Sequence, residues 1–276
     1  MDNILSKFKL DSQVAIITGG AGLLGIQHAY AIAEAGGIPV LWDINETAVT
    51  KAAESINTVS NIPAMGISVD VTNKDSISNA LSKTLKSFKR IDILVNNAAK
   101  NPQFSDKTLS NWNRLENFDL DSWDMDLSVG LTGAFLCCQT VGTYLAKLNK
   151  GIIINVSSDL SVISPDQRLY RKDGIAEDQQ PVKPITYSVI KHGLIGLTKY
   201  LATYWAKNNV RVNAISPGGI YNDQPEEFVK RLTDLIPMGR MARVDEYKAA
   251  IVFLCSEASS YMTGQNIILD GGRTVL

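Results

Sequence analysis

The β-branched run Val14-Ala15-Ile16-Ile17-Thr18 passes without a spacer into Gly19-Gly20-Ala21-Gly22-Leu23-Leu24-Gly25, and an amphipathic helical pattern follows. Gly20, Gly22 and Gly25 stand in G-x-G-x-x-G spacing. That spacing permits a tight turn, close approach of backbone to a pyrophosphate, and close packing of helix on strand. Amides at the start of such a helix point at the phosphates. Ordinary glycine-rich turns also meet the spacing, so its second half matters. Ile38-Pro39-Val40-Leu41-Trp42 reads as the next strand and ends at Asp43, close to the about 20-residue separation of a dinucleotide fingerprint. A carboxylate there accepts hydrogen bonds from ribose hydroxyls and repels a 2′-phosphate. With no Arg or Lys in residues 19–25 to hold an extra phosphate, NAD is expected rather than NADP. The competing role for Asp43 is a cap on the helical segment that starts near Glu46.

The rest of the chain repeats the alternation. Runs at Val14 to Thr18, Ile38 to Trp42, Ala64 to Val69, Ile91 to Asn96, Ile152 to Ser157, Val210 to Ile215 and Ile267 to Leu269 predict seven strands between helices. Right-handed βαβ crossovers then give an α/β, Rossmann-like doubly wound fold with a seven-stranded, mainly parallel sheet. Such sheets bind ligands at the carboxyl ends of their strands. At 276 residues, 45% of them hydrophobic, the chain suits one large domain. No repeat, linker or shift in composition marks a second, so residues 1–276 are read as one NAD-binding catalytic domain.

A formal net charge of −1 with scattered Lys and Arg gives no footprint for nucleic acid or an anionic membrane. No leader and no membrane span is read from the sequence, so a cytoplasmic protein with a small-molecule partner is expected. Cys137, Cys138 and Cys255 form no C-x-x-C and sit in apolar helical contexts, which predicts buried free thiols. His28 and His192 are the only histidines, too few for an obvious metal site. Both are read as structural or surface residues.

Two polar segments, Lys100 to Asp121 and Pro165 to Pro184, are long for βα connections and read as lids or pocket walls. Between them, Ile152-Ile153-Ile154-Asn155-Val156 ends in Ser157-Ser158, which places a hydroxyl at the ligand-binding edge of the sheet. After them, Tyr187-Ser188-Val189-Ile190-Lys191 sets a phenol and an ammonium at i and i+4 on one helical face. The Tyr/Lys spacing by itself is weak; its context gives it weight.

In this combination the chain resembles the short-chain dehydrogenase/reductase family, single-domain branch, from about Val14 to Gly272. The matching positions are the glycine turn with Gly19, Gly20, Gly22, Leu24 and Gly25, then Asp43, Asp70-Val71, and Asn97-Ala98-Ala99 after Asn96. They continue with Ser158, Tyr187 with Lys191, Pro217-Gly218 with Ile220, and the ending Thr263-Gly264-Gln265-Asn266 to Asp270-Gly271-Gly272. The resemblance implies NAD as cofactor, Tyr187 as acid/base, Lys191 as its electrostatic partner and ribose ligand, and Ser158 as ligand of the substrate oxygen. A phenol titrates near ~10 in water, so a nearby ammonium is needed to favour the phenolate.

Three departures from the family pattern stand out. Leu23 replaces a usual glycine. Gly130 stands where the family carries an asparagine that helps hold a relay water. Ser158 and Tyr187 are 29 residues apart because of the 165–184 insertion, whose Arg168, Arg171 and Lys172 are candidates to clamp a carboxylate or phosphate. With the loop Gly219 to Glu227, these features are similar to bacterial oxidoreductases of surface-sugar synthesis, including flagellin-glycan and nonulosonic-acid pathways. That likeness implies a hydroxylated, anionic sugar-derived substrate. The family also implies a homodimer or homotetramer, with Tyr200, Tyr204 and Trp205 on the Tyr187 helix available for packing. Two rival readings stay open: a sugar-nucleotide epimerase or dehydratase that recycles NAD, and an NAD-binding sensor without turnover.

Overall fold

A computed structural model describes residues 3–100 and 111–276. Residues 101–110, within the polar segment Lys100 to Asp121, lie outside the described residues. Strands β1 (Val14–Thr18), β2 (Ile38–Asp43), β3 (Met65–Ser68), β4 (Ile93–Asn96), β5 (Gly151–Val156), β6 (Val210–Pro217) and β7 (Asn266–Leu269) form one sheet in the order β3-β2-β1-β4-β5-β6-β7. Every pairing is parallel. The order reverses between β1 and β4, which opens a crevice at their carboxyl ends. Predicted β3 and β4 are shorter than their apolar runs: Ile91 and Val69 are buried beyond the ends of the ladder.

Alternation along β1 explains the layering. Val14 and Ile16 face one core, with Ile77, Val141 and Leu201 of helices α3 (Lys74–Phe88), α4 (Leu120–Lys147) and α5 (Ile185–Tyr204). Ala15 and Ile17 face the other, with Ile32, Val49 and Leu254 of α1 (Leu23–Glu34), α2 (Glu46–Ser60) and α7 (Lys248–Cys255). Successive strand side chains point to opposite faces, so a strand covered on both sides is apolar throughout. A shorter helix, α6 (Glu226–Thr233), packs on the 165–184 insertion.

Helix α4 corrects one expectation. Leu120–Lys147 is long and apolar enough to cross a membrane by length and composition, which the sequence reading did not anticipate. Its Cys137, Cys138, Val141 and Leu145 are buried in the core, so its apolar character serves packing against the sheet. Two π-helical segments, Ser128–Thr132 and Cys138–Gly142, interrupt it. The first carries Gly130.

Candidate active site

The crevice is built first by the glycine turn. Gly19 has φ +60°, and a Cβ on it would lie 2.9 Å from the Cα of Ala98. Only glycine fits there without strain. A Cβ on Gly25 would run into the Gly19 carbonyl, so the start of α1 lies directly on the turn. Gly22 caps α1 with no side-chain hydrogen bond, leaving the first amides of the helix to a phosphate. Leu23 is exposed in that first turn, so its departure from glycine costs the turn nothing, and Leu24 packs inward.

Asn97 ties this turn to β4. Its Nδ2 donates to the carbonyls of Thr18 at 3.0 Å and Gly19 at 3.1 Å. Thr18 Oγ1 accepts the amides of Asn97 and Ala98, both at 3.0 Å. Thr18 escaped the sequence reading, although a hydroxyl between strand and glycine turn was the signal. Asp43 lies at the end of β2, where its carboxylate accepts the amides of Ala21 and Asn45, each at 3.1 Å. The cap of α2 is Asn45, so the competing cap role for Asp43 falls. Asp70 accepts the amide and hydroxyl of Thr72, and buried Val71 packs on Gly133. Pro217 is buried; Gly218 lines a separate cavity of about 550 Å³ with Tyr247 and Asp270, and Ile220 bridges to Ala242. The turn, the free helix amides and the Asp43 carboxylate together fit a dinucleotide.

Ser157 and Lys191 bring the second half of the site into register. Ser157 Oγ donates to the Lys191 carbonyl at 2.7 Å, and Lys191 Nζ donates to the Val156 carbonyl at 2.9 Å. These bonds clamp α5 across the end of β5. Tyr187 and Lys191 share a face, with the ammonium 5.7 Å from the phenol ring centre, and Ser158 hydrogen-bonds the Tyr187 hydroxyl. Beside Ser158, Asp159 pairs with Arg273 at 2.7 Å in a buried ion pair.

The electrostatics differ from expectation. Burial raises the Tyr187 phenol above its ordinary value, and the Ser158 hydrogen bond opposes this. Lys191 is itself lowered to about 8, by burial first and then by Lys183. Lys183, passed over in the sequence among other charged insertion residues, holds its ammonium 3.8 Å over the Tyr187 ring centre. Burial lowers Lys183 to about 8 as well. Among the described residues, no carboxylate lies within ion-pair distance of it.

Lys183, Lys191, Tyr187, Gly130 and Asp126 line a cavity of about 40 Å³, room for a few waters at ~10–15 Å³ each. Asp126 accepts the Thr186 hydroxyl at 2.7 Å and pairs with Lys100 at 3.6 Å. Arg168, Arg171 and Lys172, the expected anion clamp, face other partners or solvent. Arg168 pairs with Asp166 and Arg171 with Glu177, all within the insertion, and Lys172 is exposed. The insertion instead docks through Leu169 on Leu232 and Ile236. His192 is exposed, and the three cysteines are buried and free.

The family model described as short chain dehydrogenase matches residues 13–170, and one described as enoyl-(acyl carrier protein) reductase matches residues 175–274. The chain is 31% identical to the NAD-dependent glycerol dehydrogenase of Listeria innocua, over 97% of this chain and 96% of that protein. It is 32% identical to the 3-oxoacyl-acyl-carrier-protein reductase of Aquifex aeolicus, over 96% and 99% of the two chains. The crystal structure of a gluconate 5-dehydrogenase from Burkholderia cenocepacia in complex with NADP and tartrate superposes with a TM-score of 0.83 at 28% identity, covering 99% of this chain and 100% of that one.

Proposed function

Since the chain belongs to the short-chain dehydrogenase family and is an NAD(P)-dependent oxidoreductase of CH-OH groups, we propose that it prefers NAD and interconverts a secondary alcohol and a ketone on an anionic, sugar-derived substrate. The observation that carries the substrate class is Lys183. A half-buried ammonium over the Tyr187 ring, with no carboxylate partner among the described residues, suits a carboxylate or phosphate on the molecule whose carbinol meets Tyr187. Asp43, at the end of β2, supports NAD, because a carboxylate there accepts ribose hydroxyls and repels a 2′-phosphate.

NAD, when bound, would supply the hydride chemistry. Tyr187 exchanges a proton with the substrate oxygen, and Ser158 holds that oxygen by hydrogen bonding. Lys191, fixed by the Val156 carbonyl, orients the nicotinamide ribose and favours the Tyr187 phenolate once its surroundings fill. The relatives support a polyhydroxylated substrate: one is named for glycerol and another for gluconate. The assignment to bacterial surface-sugar synthesis belongs to this proposal and rests on Gly130, the loop after Gly218 and the 165–184 insertion. A single catalytic domain in the cytoplasm goes with it. So does a homodimer or homotetramer, which would cover exposed Phe135, Tyr200 and Tyr204.

Incubation with NAD and a panel of neutral, carboxylated, phosphorylated and nucleotide-linked sugars, followed by NADH absorbance and product mass, tests the reading. NADH with a loss of two hydrogens from an anionic sugar supports it. Isomerisation or water loss without NADH points to the epimerase or dehydratase reading, and oxidation confined to neutral polyols or acyl thioesters overturns the substrate class.

A further inference from the structure

Ser158 has one hydroxyl hydrogen to give, and it goes to Asp159: Ser158 Oγ donates to Asp159 Oδ1 at 2.8 Å. The same Oδ1 accepts the Leu160 amide at 2.9 Å, while Oδ2 accepts Arg273 at 2.7 Å. Ser158, Asp159 and Arg273 are 4%, 3% and 9% exposed. Ser158 Oγ also accepts the Leu160 amide at 3.2 Å, and the Ser158 hydroxyl acts to lower the Tyr187 phenol. A line of hydrogen bonds therefore runs from Ser158 to Asp159, closed from the far side by Arg273 on the turn Arg273–Val275. Burying a carboxylate and a guanidinium is costly even when they are paired, and apolar residues of similar volume often serve stability as well. The placement of this pair against Ser158 is what needs explaining.

Its charges also act on Tyr187 with opposite signs. Asp159 raises the phenol and Arg273 lowers it. The other ionisable groups around that ring are Lys191 from its own helix, Lys183 and Tyr170 from the insertion, and Asp126 and Lys100, which line the same cavity.

We infer that Asp159 and Arg273 are positioning residues for the Ser158 and Tyr187 pair. Asp159 fixes the Ser158 hydroxyl by accepting its hydrogen, and Arg273 cancels the negative charge that Asp159 would otherwise impose on the phenol. The inference rests on the proposed roles of Ser158 and Tyr187, but not on any particular substrate.

The test reads Tyr187 directly, by ultraviolet titration of tyrosinate absorbance in the intact protein with Tyr187→Phe as the subtraction, so no substrate is needed. Arg273→Met should move the Tyr187 titration to higher pH and Asp159→Asn to lower pH, each by on the order of one unit, as nearby charges do at buried sites. Arg273→Lys should stay near the parent, and Asp159→Asn/Arg273→Met should return toward it. NAD affinity and melting temperature serve as the folding control. If Arg273→Met does not fold, Asp159→Asn and the charge-balanced double variant carry the test. Loss of melting temperature with an unmoved Tyr187 titration, or shifts of the same sign in the two single variants, would overturn the inference. Because the readout is substrate-free, its failure is distinct from failure of the panel to yield NADH.

Discussion

Ile190 occupies the space that any side chain at Gly130 would need. A Cβ on Gly130 would lie 2.8 Å from Ile190 Cγ2 and 3.1 Å from Cδ1. The family's asparagine is therefore excluded by packing, and Asp126, one turn earlier on that helix, lines the same cavity as Lys191. Gly130→Asn should destabilise the fold by about 1–3 kcal/mol through overpacking. Gly130→Asn/Ile190→Ala should recover most of that loss, because the second change vacates the volume. Denaturant unfolding of the four-member cycle measures the coupling, and additive losses would show that Ile190 is not the obstacle.

Asp43 holds two amides, at Ala21 in the glycine turn and at Asn45 before α2. Asp43→Ala should therefore weaken NAD binding and narrow the preference over NADP. Asp43→Asn should relieve the repulsion of a 2′-phosphate while keeping an acceptor for at least one amide. Calorimetric titration with both cofactors decides it; an unchanged ratio in both variants would assign cofactor choice to another group.

Lys183 gives the substrate proposal a pH signature. It is charged below about 8 and neutral above, so the affinity for an anionic substrate should be full at lower pH and fall as pH rises through that value. Asp159, Arg273 and Lys191 shape the same field. Lys183→Met should raise KM for a carboxylated or phosphorylated substrate by about 10- to 100-fold, as for losing a hydrogen bond to a charged group worth about 1.5–3 kcal/mol. Oxidation of a neutral polyol should keep its KM, and equal losses on both substrates would make Lys183 a packing residue.

Tyr187→Phe removes the proton-transfer group while leaving the ring under Lys183. Turnover should fall by at least about 100-fold, the low end of a general acid/base contribution, with NAD affinity retained. A variant that still turns over would move the proton chemistry elsewhere.

The sheet was legible because covered strands must be apolar on both faces, and the runs of the five inner strands carry that mark, with the edge strands β3 and β7 shorter and partly exposed. The glycine turn, Asp43, Ser158, Tyr187 and Lys191 were legible because their chemistry is tied to short spacings or strand ends. What the sequence hid is long-range. Nothing local distinguishes Arg273 from a surface arginine until Asp159, 114 residues away, accepts it. Lys183 looked like one more charge in a charged insertion, while Arg168 and Arg171 looked functional because their neighbours Asp166 and Glu177 could not be paired to them on paper. The apolar length of α4 passed unread, and composition alone could not have placed it, since burial against a sheet and burial in lipid leave similar composition.

His28 sets an acid limit on stability. It is fully buried on α1, neither ring nitrogen has a hydrogen-bond partner among the described residues, and burial lowers it to about 4 from an ordinary 6.5. The folded state thus keeps the ring neutral while the unfolded chain takes up a proton as pH falls below 6.5. Stability from this residue is full above that pH, declines toward pH 4 and levels off below it, a total of roughly 3 kcal/mol at 1.36 kcal/mol per unit. His28→Leu removes both the titration and the unpaired nitrogens. It should be neutral or stabilising at pH 7 and flatten the acid limb between pH 6.5 and 4 in chemical denaturation. An acid limb as steep as the parent's would transfer the sensitivity to paired carboxylates such as Asp166 and Glu246, which their arginine partners hold below the usual range.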